Sequence, residues 1–380
     1  MLEPDNIYLG HTLDLLKPAP DGFVDCVVTS PPYWGLRDYG LEPIVWDAKE
    51  GCQHLWILKH SSGLTGGQNQ GKKNENPDGC TYRPVPPNDS AFCSLCGAWR
   101  GSLGLEPTFQ LYIDHLMQIM AECRRVLKDT GTMFVNIGDS YSNPNQAGGG
   151  DPTIGKRNLG GAGYPKRGMS GIPAKSLVGI PERFAIRMTD DLGMIRRNTI
   201  IWYKRNCMPS SASDRFTVDF EPVYFFVKQG DYWFKQQREP YIYDLDRWGG
   251  DYKIKPIQEK LDPSEMACAN SLARERNMRP NLNGRNRRCI WDIPTEPSSE
   301  PHFAMFPQAL VEPMIDAGCP PDGIVLDPFS GMGTVASEAI KQGKRFIGIE
   351  LSPDYYKLST KRIALELQQL NLFHNTEVAV

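Results

Sequence analysis

Two stretches of this chain combine residue types that can do chemistry. The first is Asp25-Cys26-Val27-Val28-Thr29-Ser30-Pro31-Pro32-Tyr33-Trp34, where a run of β-favouring residues ends in a hydroxyl, two prolines and two aromatics. Proline cannot extend a strand ladder, so the chain must leave the sheet there with backbone carbonyls free. Strand ends that open into loops are where α/β folds place their chemistry. The second stretch runs from Gly323 through Asp327-Pro328-Phe329-Ser330-Gly331-Met332-Gly333-Thr334. It reads as a short apolar strand, a glycine turn and the start of a helix, with glycines placed so that backbone can approach a ligand closely. A further strand, Arg345 to Ile349, ends in Glu350, where an acid can grip a pair of ribose hydroxyls. The glycine spacing alone also fits an NAD(P) oxidoreductase, but that reading leaves Ser30-Pro31-Pro32-Tyr33 without a role.

A third group carries metal-ligand chemistry. Cys93-Ser94-Leu95-Cys96-Gly97 has the two-residue spacing that lets both thiolates bind one tetrahedral zinc. Cys52 and His54 complete four ligands, with Cys80 and His60 as competitors; the plain alternative is a set of unconnected reduced cysteines. These residues lie towards the two ends of 47–104, a segment rich in Gly, Asn, Pro and Ser that is too long to sit structureless in a compact domain without a function or a staple. Basic residues form two further clusters. Six arginines lie between Arg274 and Arg288, among them Arg285, Arg287 and Arg288, interleaved with Asn281, Asn283 and Asn286. The glycine-rich segment 141–172 holds Lys156, Arg157, Lys166 and Arg167. Both mixtures suit phosphate and base-edge contacts, although a solvated face is the usual meaning of such a run.

The elements that must position these groups follow from pattern. Residues 6–16 read as a strand, a glycine turn and a helix, and the strand into Ser30 follows at once, which predicts a parallel sheet. Apolar residues at helical spacing predict a helix over 108–130, followed by a strand from Thr132 to Ile137. Pro181 to Met188 reads as a helix, and Ile195–Tyr203 and Val223–Lys228 as an antiparallel strand pair. At 380 residues there is room for one large domain or two smaller ones. A net charge of −3 means that any nucleic-acid contact must come from local clusters. No apolar run approaches the ~18 residues that span a bilayer. The N-terminus lacks the pattern of a signal peptide, so a cytoplasmic protein with reduced cysteines and no membrane partner is expected.

Asp327-Pro328-Phe329 with its glycines resembles the S-adenosylmethionine loop of the bacterial amino-methylating DNA methyltransferases, and Ser30-Pro31-Pro32-Tyr33 resembles their catalytic motif. The catalytic motif comes first and the cofactor loop last, an order that resembles the circularly permuted β class. Ile200-Ile201-Trp202-Tyr203-Lys204, Trp291-Asp292-Ile293 and His302-Phe303-Ala304-Met305-Phe306-Pro307 add to the likeness. The resemblance implies an α/β, Rossmann-like methyltransferase sheet with helices on both faces and permuted motif order. It implies a catalytic domain over 1–50, 101–235 and 286–380, with a Cys/His insertion at 51–100 and a target-recognition region at 236–285. Asp327, Phe329, Gly331, Gly333, Thr334 and Glu350 would hold S-adenosylmethionine, with His302 and Phe306 bordering it. Similar proteins usually have Gly-Asp in the first strand–turn; here Gly10-His11 stands there with Asp14 three residues on, and either His11 or Asp14 can serve.

The implied reaction is methyl transfer to an exocyclic amino group of a base in double-stranded DNA. Carbon-5 cytosine methylation needs a cysteine nucleophile, usually after proline, and the chain has no Pro-Cys dipeptide. Serine at position 30 leans towards N4 of cytosine rather than N6 of adenine. A homodimer and a cognate restriction endonuclease are the partners that the family brings with it. The competing readings are an RNA substrate and a non-catalytic zinc module that only binds nucleic acid.

Overall fold

The computed structural model describes residues 2–36, 40–56, 91–142, 172–173, 175–240, 285–296 and 306–377, with side chains described as far as 368. Its frame is an eight-stranded mixed sheet. In chain order the elements are β1 (Asn6–Leu9), α1 (Thr12–Leu16), β2 (Val24–Thr29), β3 (Ile44–Trp46), β4 (Trp99–Gly101), α2 (Phe109–Val126) and β5 (Leu127–Asn136). There follow α3 (Ile180–Asp190), β6 (Ile195–Tyr203), β7 (Phe220–Val227), β8 (Arg238–Glu239), β9 (Arg285–Asn286), β10 (Ile290–Asp292), α4 (Gln308–Gly318), β11 (Ile324–Asp327), α5 (Thr334–Lys341), β12 (Arg345–Glu350) and α6 (Pro353–Glu377). The sheet order is β1-β12-β11-β2-β5-β7-β6-β10, and β3–β4 and β8–β9 form two small ribbons beside it.

β2 sits near the middle of the sheet and is buried at every position. Its apolar run has the pattern of a strand covered on both faces. On one face Val27 joins a core built with α1, α2 and α3 through Leu16, Tyr112, Leu116 and Phe184. On the other, Cys26 and Val28 join a core with α4 and α5 through Leu310, Ile315, Val335 and Ala339. β11 pairs with β2 in parallel, Val325 opposite Cys26 and Leu326 opposite Val27, so both strands end at the same edge. Asp25 ties their starts together, pairing with Lys128 Nζ at 2.7 Å and accepting from the Ile324 N–H at 3.0 Å.

The expected antiparallel pair is β6–β7, and the expected parallel opening is present, although β12 and β11 lie between β1 and β2. Some boundaries differ: β7 begins at Phe220 rather than Val223, and α2 ends at Val126 rather than near 130, with β5 following at once. Leu127 turns to extended backbone (φ −70°, ψ 137°) and pairs with Val24 in the ladder. Its apolar side chain therefore serves the sheet, which is why it fitted the helical spacing without being helical. The target-recognition range 236–285 lies almost wholly outside the described residues.

Candidate active site

The ends of β2 and β11, 298 residues apart in sequence, are joined by a side-chain bond. Thr29 Oγ1 donates to Asp327 Oδ1 at 2.6 Å, and the Phe329 N–H donates to the same oxygen at 3.0 Å. Beyond this junction a cavity of about 320 Å³ opens at the sheet edge. Ser30, Pro31, Pro32 and Tyr33 line it on one side, and Asp327, Phe329, Gly331, Thr334 and Glu350 on the other. Both motifs therefore address one space.

Each motif is held by its neighbours. The Tyr33 hydroxyl lies 2.8 Å from Glu221 Oε2 and 2.9 Å from Asn136 Oδ1, and Lys204 pairs with the other Glu221 oxygen. Ser30 Oγ is 3.3 Å from the Tyr33 hydroxyl, to which it donates, so its lone pairs stay free. The Pro32 carbonyl accepts from the Tyr112 hydroxyl at 2.9 Å, whereas among the described residues no group donates to the Pro31 carbonyl. The Tyr33 ring lies against Gly138, where an added Cβ would sit 2.5 Å from it. Burial and the nearby Glu221 carboxylate push the Tyr33 hydroxyl well above the usual tyrosine range, so it is held as a neutral donor. Trp34, next in the motif, does not face the cavity. It is buried, with its ring nitrogen donating to the Glu106 carbonyl at 2.9 Å and its ring edge-on to Phe109. Of the two aromatics that close the motif, Tyr33 faces the cavity and the Trp34 ring is spent in the core.

The β11 side is acidic. Glu350, at the end of β12, accepts from the Gly331 N–H at 2.7 Å and, through its other oxygen, from the Ser352 N–H at 2.7 Å. Gly331 (φ +52°) and Gly333 (φ +74°) take left-handed backbone to make the turn into α5, a conformation that suits glycine. A Cβ on Gly333 would also crowd Ser359 at 3.2 Å; Gly333 shapes the turn and does not itself line the cavity. Burial pushes the Asp327 carboxyl up to about 7, with the Glu350 charge adding to the rise, and burial also raises Glu350. Among the described residues, no lysine or arginine lines the cavity. Two desolvated acids without a counter-charge suit a cationic ligand. Two buried polar atoms of lining residues, His11 Nε2 and Ser330 Oγ, also lack a partner.

The remaining expected residues are placed unevenly. His11 lines the cavity, while the Asp14 side chain is 77% exposed and 3.9 Å from His11 Nδ1. Burial lowers the His11 pKa, which favours a neutral ring. Phe306 lines the cavity, and His302 lies outside the described residues. Lys166 and Arg167 lie outside them too, as do Cys80 and His60. Arg285 and Arg288 both pair with Glu239 Oε1, at 2.8 and 2.7 Å, and the Arg287 guanidinium stacks over Trp291 at 4.6 Å. Among the described members of that cluster, Arg285 and Arg288 thus have their charge met within the fold. Sequence reasoning missed Asn136, Glu221 and Tyr112. Only Asn136 left a signal, as a polar residue closing the apolar run of β5.

Comparison with known proteins follows the same lines. The family profile described as DNA methylase, for N6 and N4 methyltransferases, matches residues 24–361. Type II methyltransferase M.XycI of Xanthomonas campestris pv. cyanopsidis is 30% identical over 370 residues, covering 96% of this chain and 89% of that protein. Type II methyltransferase M.Cfr9I of Citrobacter freundii is 30% identical over 364 residues, covering 94% and 87%. Among solved structures, the PvuII DNA methyltransferase (cytosine-N4-specific) shares the fold, with a TM-score of 0.50 at 17% identity over 97% of this chain and 93% of that one.

Proposed function

The chain belongs to the N6/N4 DNA methylase family, and we propose that within it the target is the N4 amino group of a cytosine extruded from duplex DNA. The methyl donor that the family implies is S-adenosylmethionine. The observation that carries this reading is the single cavity shared by Ser30-Pro31-Pro32-Tyr33 and the Asp327–Glu350 side. The donor is a cation, with a sulfonium and an ammonium, and it fits a cavity with two uncompensated acids. Asp327, Phe329, Gly331 and Thr334 would hold its methionine portion, on a turn that Gly333 shapes, and Glu350 its ribose hydroxyls, with Phe306 at the border and His11 beside the first turn. Bound there, it supplies an electrophilic methyl group.

The protein's own task is to make a poor nucleophile competent. An amino lone pair delocalised into the base ring must be turned out of the ring plane and aimed in line. Ser30 Oγ, whose proton is directed to Tyr33, accepts one amino N–H, and the Pro31 carbonyl accepts the other. Two preset acceptors favour a pyramidal nitrogen and cost no reorganisation at the moment of transfer. The Tyr33 ring offers a face for the extruded base. Tyr33→Phe keeps that face but removes the hydroxyl that orients Ser30, together with the one proton it gives to Glu221 or Asn136. It is expected to slow single-turnover methyl transfer by about tenfold with DNA affinity little changed.

No lysine, histidine or acid stands at position 30, and the uncharged serine supports cytosine over adenine. The segments 1–50, 101–235 and 286–380 would form the catalytic body, and 236–285 the region that reads the target sequence. The type II designation of the relatives supports a place in restriction–modification, with a cognate endonuclease as partner. Digestion of methylated duplex DNA to nucleosides tests the base. N4-methylcytosine is expected, and N6-methyladenine would overturn the assignment.

A further inference from the structure

The two ends of the insertion after β3 bring four ligand-type side chains to one point. The ligand atoms of Cys52, His54, Cys93 and Cys96 all lie within 4.8 Å of one another. Cys52 Sγ is 3.9 Å from Cys93 Sγ, and Cys96 Sγ is 3.4 Å from His54 Nδ1. A tetrahedral zinc with bonds of about 2.3 Å to sulfur and about 2.1 Å to nitrogen requires edges of roughly 3.6–3.8 Å between its ligands. A disulfide requires about 2.05 Å, far below the sulfur separation found. Three thiolates with one imidazole form a closed set of the kind that structural zinc prefers.

The local backbone is shaped for the same purpose. The Gly97 N–H donates to the Cys93 carbonyl at 3.0 Å, the Cys93 N–H to the Ala98 carbonyl at 2.8 Å, and Gly97 takes φ +80°. This tight knuckle points both thiols of the pair the same way. The Leu55 and Leu95 N–H groups each approach Cys93 Sγ at 3.4 Å, contacts that favour a thiolate over a thiol.

The cluster also sits where it has something to hold. Just before Cys52, β3 pairs with β4, and Ile44 and Trp46 line the cavity with Ser102 and Leu103. Trp46 and Trp99 stack against the His115 ring of α2, at 4.4 and 5.3 Å. His115 in turn bridges Glu106 and Asp47, at 3.0 Å each. The two arms of this wall meet again at the Cys/His cluster, whose members Cys52 and Cys93 are 41 residues apart, with the Ser94 N–H donating to the Leu55 carbonyl and Arg100 lying over Trp56 beside it. Without a link there, closing so long a loop is opposed by chain entropy.

We propose that Cys52, His54, Cys93 and Cys96 bind one structural Zn2+, and that this ion locks the β3–β4 wall of the cavity against α2. The wall role rests on the cavity reading above; the metal site itself does not. Full-length protein purified without chelator is expected to contain one zinc per chain by elemental analysis. Cys93→Ser combined with Cys96→Ser is expected to remove it. Reconstitution with Co2+ should give the visible ligand-field bands of tetrahedral cobalt thiolate. His54→Cys, which keeps four donors, should still bind Co2+ with shifted bands, so the test stands even where loss of two cysteines prevents folding. Chelation of the wild type should raise hydrogen exchange over residues 44–56 and 91–103 by about tenfold or more, with the β11–α5 turn unchanged. Metal-free protein, a disulfide among these cysteines, or zinc retained by the double variant would overturn the site. Unchanged exchange on zinc removal would overturn the wall role. Zinc content is read without DNA or methyl donor, so these outcomes are independent of the methyl-transfer assignment.

Discussion

Asp327→Asn is expected to weaken S-adenosylmethionine binding severely while making the free protein more stable. The Asp327 carboxyl is buried, held by Thr29 and the Phe329 N–H, and burial pushes it up to about 7. An acid whose folded-state pKa lies above its unfolded value binds protons more tightly when folded. Its stability is therefore highest below the ordinary aspartate range, declines as pH rises, and levels off above about 7. Asparagine keeps the acceptor for Thr29 and carries no charge to desolvate. Chemical denaturation at pH 8 should show a gain of up to about 4 kcal/mol, shrinking towards zero near pH 4. Binding follows the opposite sign. A cationic donor needs the ionised carboxylate, so wild-type affinity should fall about tenfold for each pH unit below 7. The variant should lose about a hundredfold or more in affinity, and that pH dependence with it. Calorimetric titration across pH 5.5–8 checks both. An unstabilised variant, or one whose affinity keeps the wild-type pH dependence, would remove Asp327 from the proposed cation contact. Such a gain in stability for a loss of function is the expected behaviour of a residue kept for binding rather than folding.

Much of the site was legible because its signals are local. Pro31 and Pro32 stop a strand wherever they occur, and Gly331 and Gly333 mark a turn that needs positive φ. The meeting of the two motifs is not a local property. It depends on β11 lying beside β2 in the sheet, and only family resemblance carried that information before the fold did. Asn136, Glu221 and Tyr112 were missed for the same reason: each reaches the motif from another element, and residue type alone does not reveal a partner across a sheet. Trp34 was ambiguous in sequence, because an aromatic beside a catalytic motif suits both stacking and core. Its hydrogen bond to the Glu106 carbonyl decides for the core. The arginine run looks unopposed in sequence because the acid that meets Arg285 and Arg288 is Glu239, far along the chain and brought alongside by the β8–β9 ribbon. Leu127 fitted a helical stripe and pairs in a strand, because a buried apolar position at a helix end is compatible with either.

Ser30→Ala should separate the two halves of the cavity. The substitution deletes one of two acceptors aimed at the amino nitrogen, and it leaves Asp327, Glu350 and the Gly331 turn untouched. Removing one preorganised hydrogen-bonding group from a site of this kind typically costs about 10²–10³-fold in rate. Because Ser30 donates to the Tyr33 hydroxyl and bears no load in the core, the fold should lose little stability, within about 1 kcal/mol. The central claim is that Ser30-Pro31-Pro32-Tyr33 activates the base while the β11–β12 side holds the donor. The most direct test is a paired measurement on Ser30→Ala: the equilibrium dissociation constant for S-adenosylmethionine, and the single-turnover rate of methyl transfer to duplex DNA with the donor saturating. Unchanged affinity, within about threefold, with transfer slowed by about a hundredfold or more is the predicted result. Equal losses in both, or a wild-type rate, would contradict the division of labour.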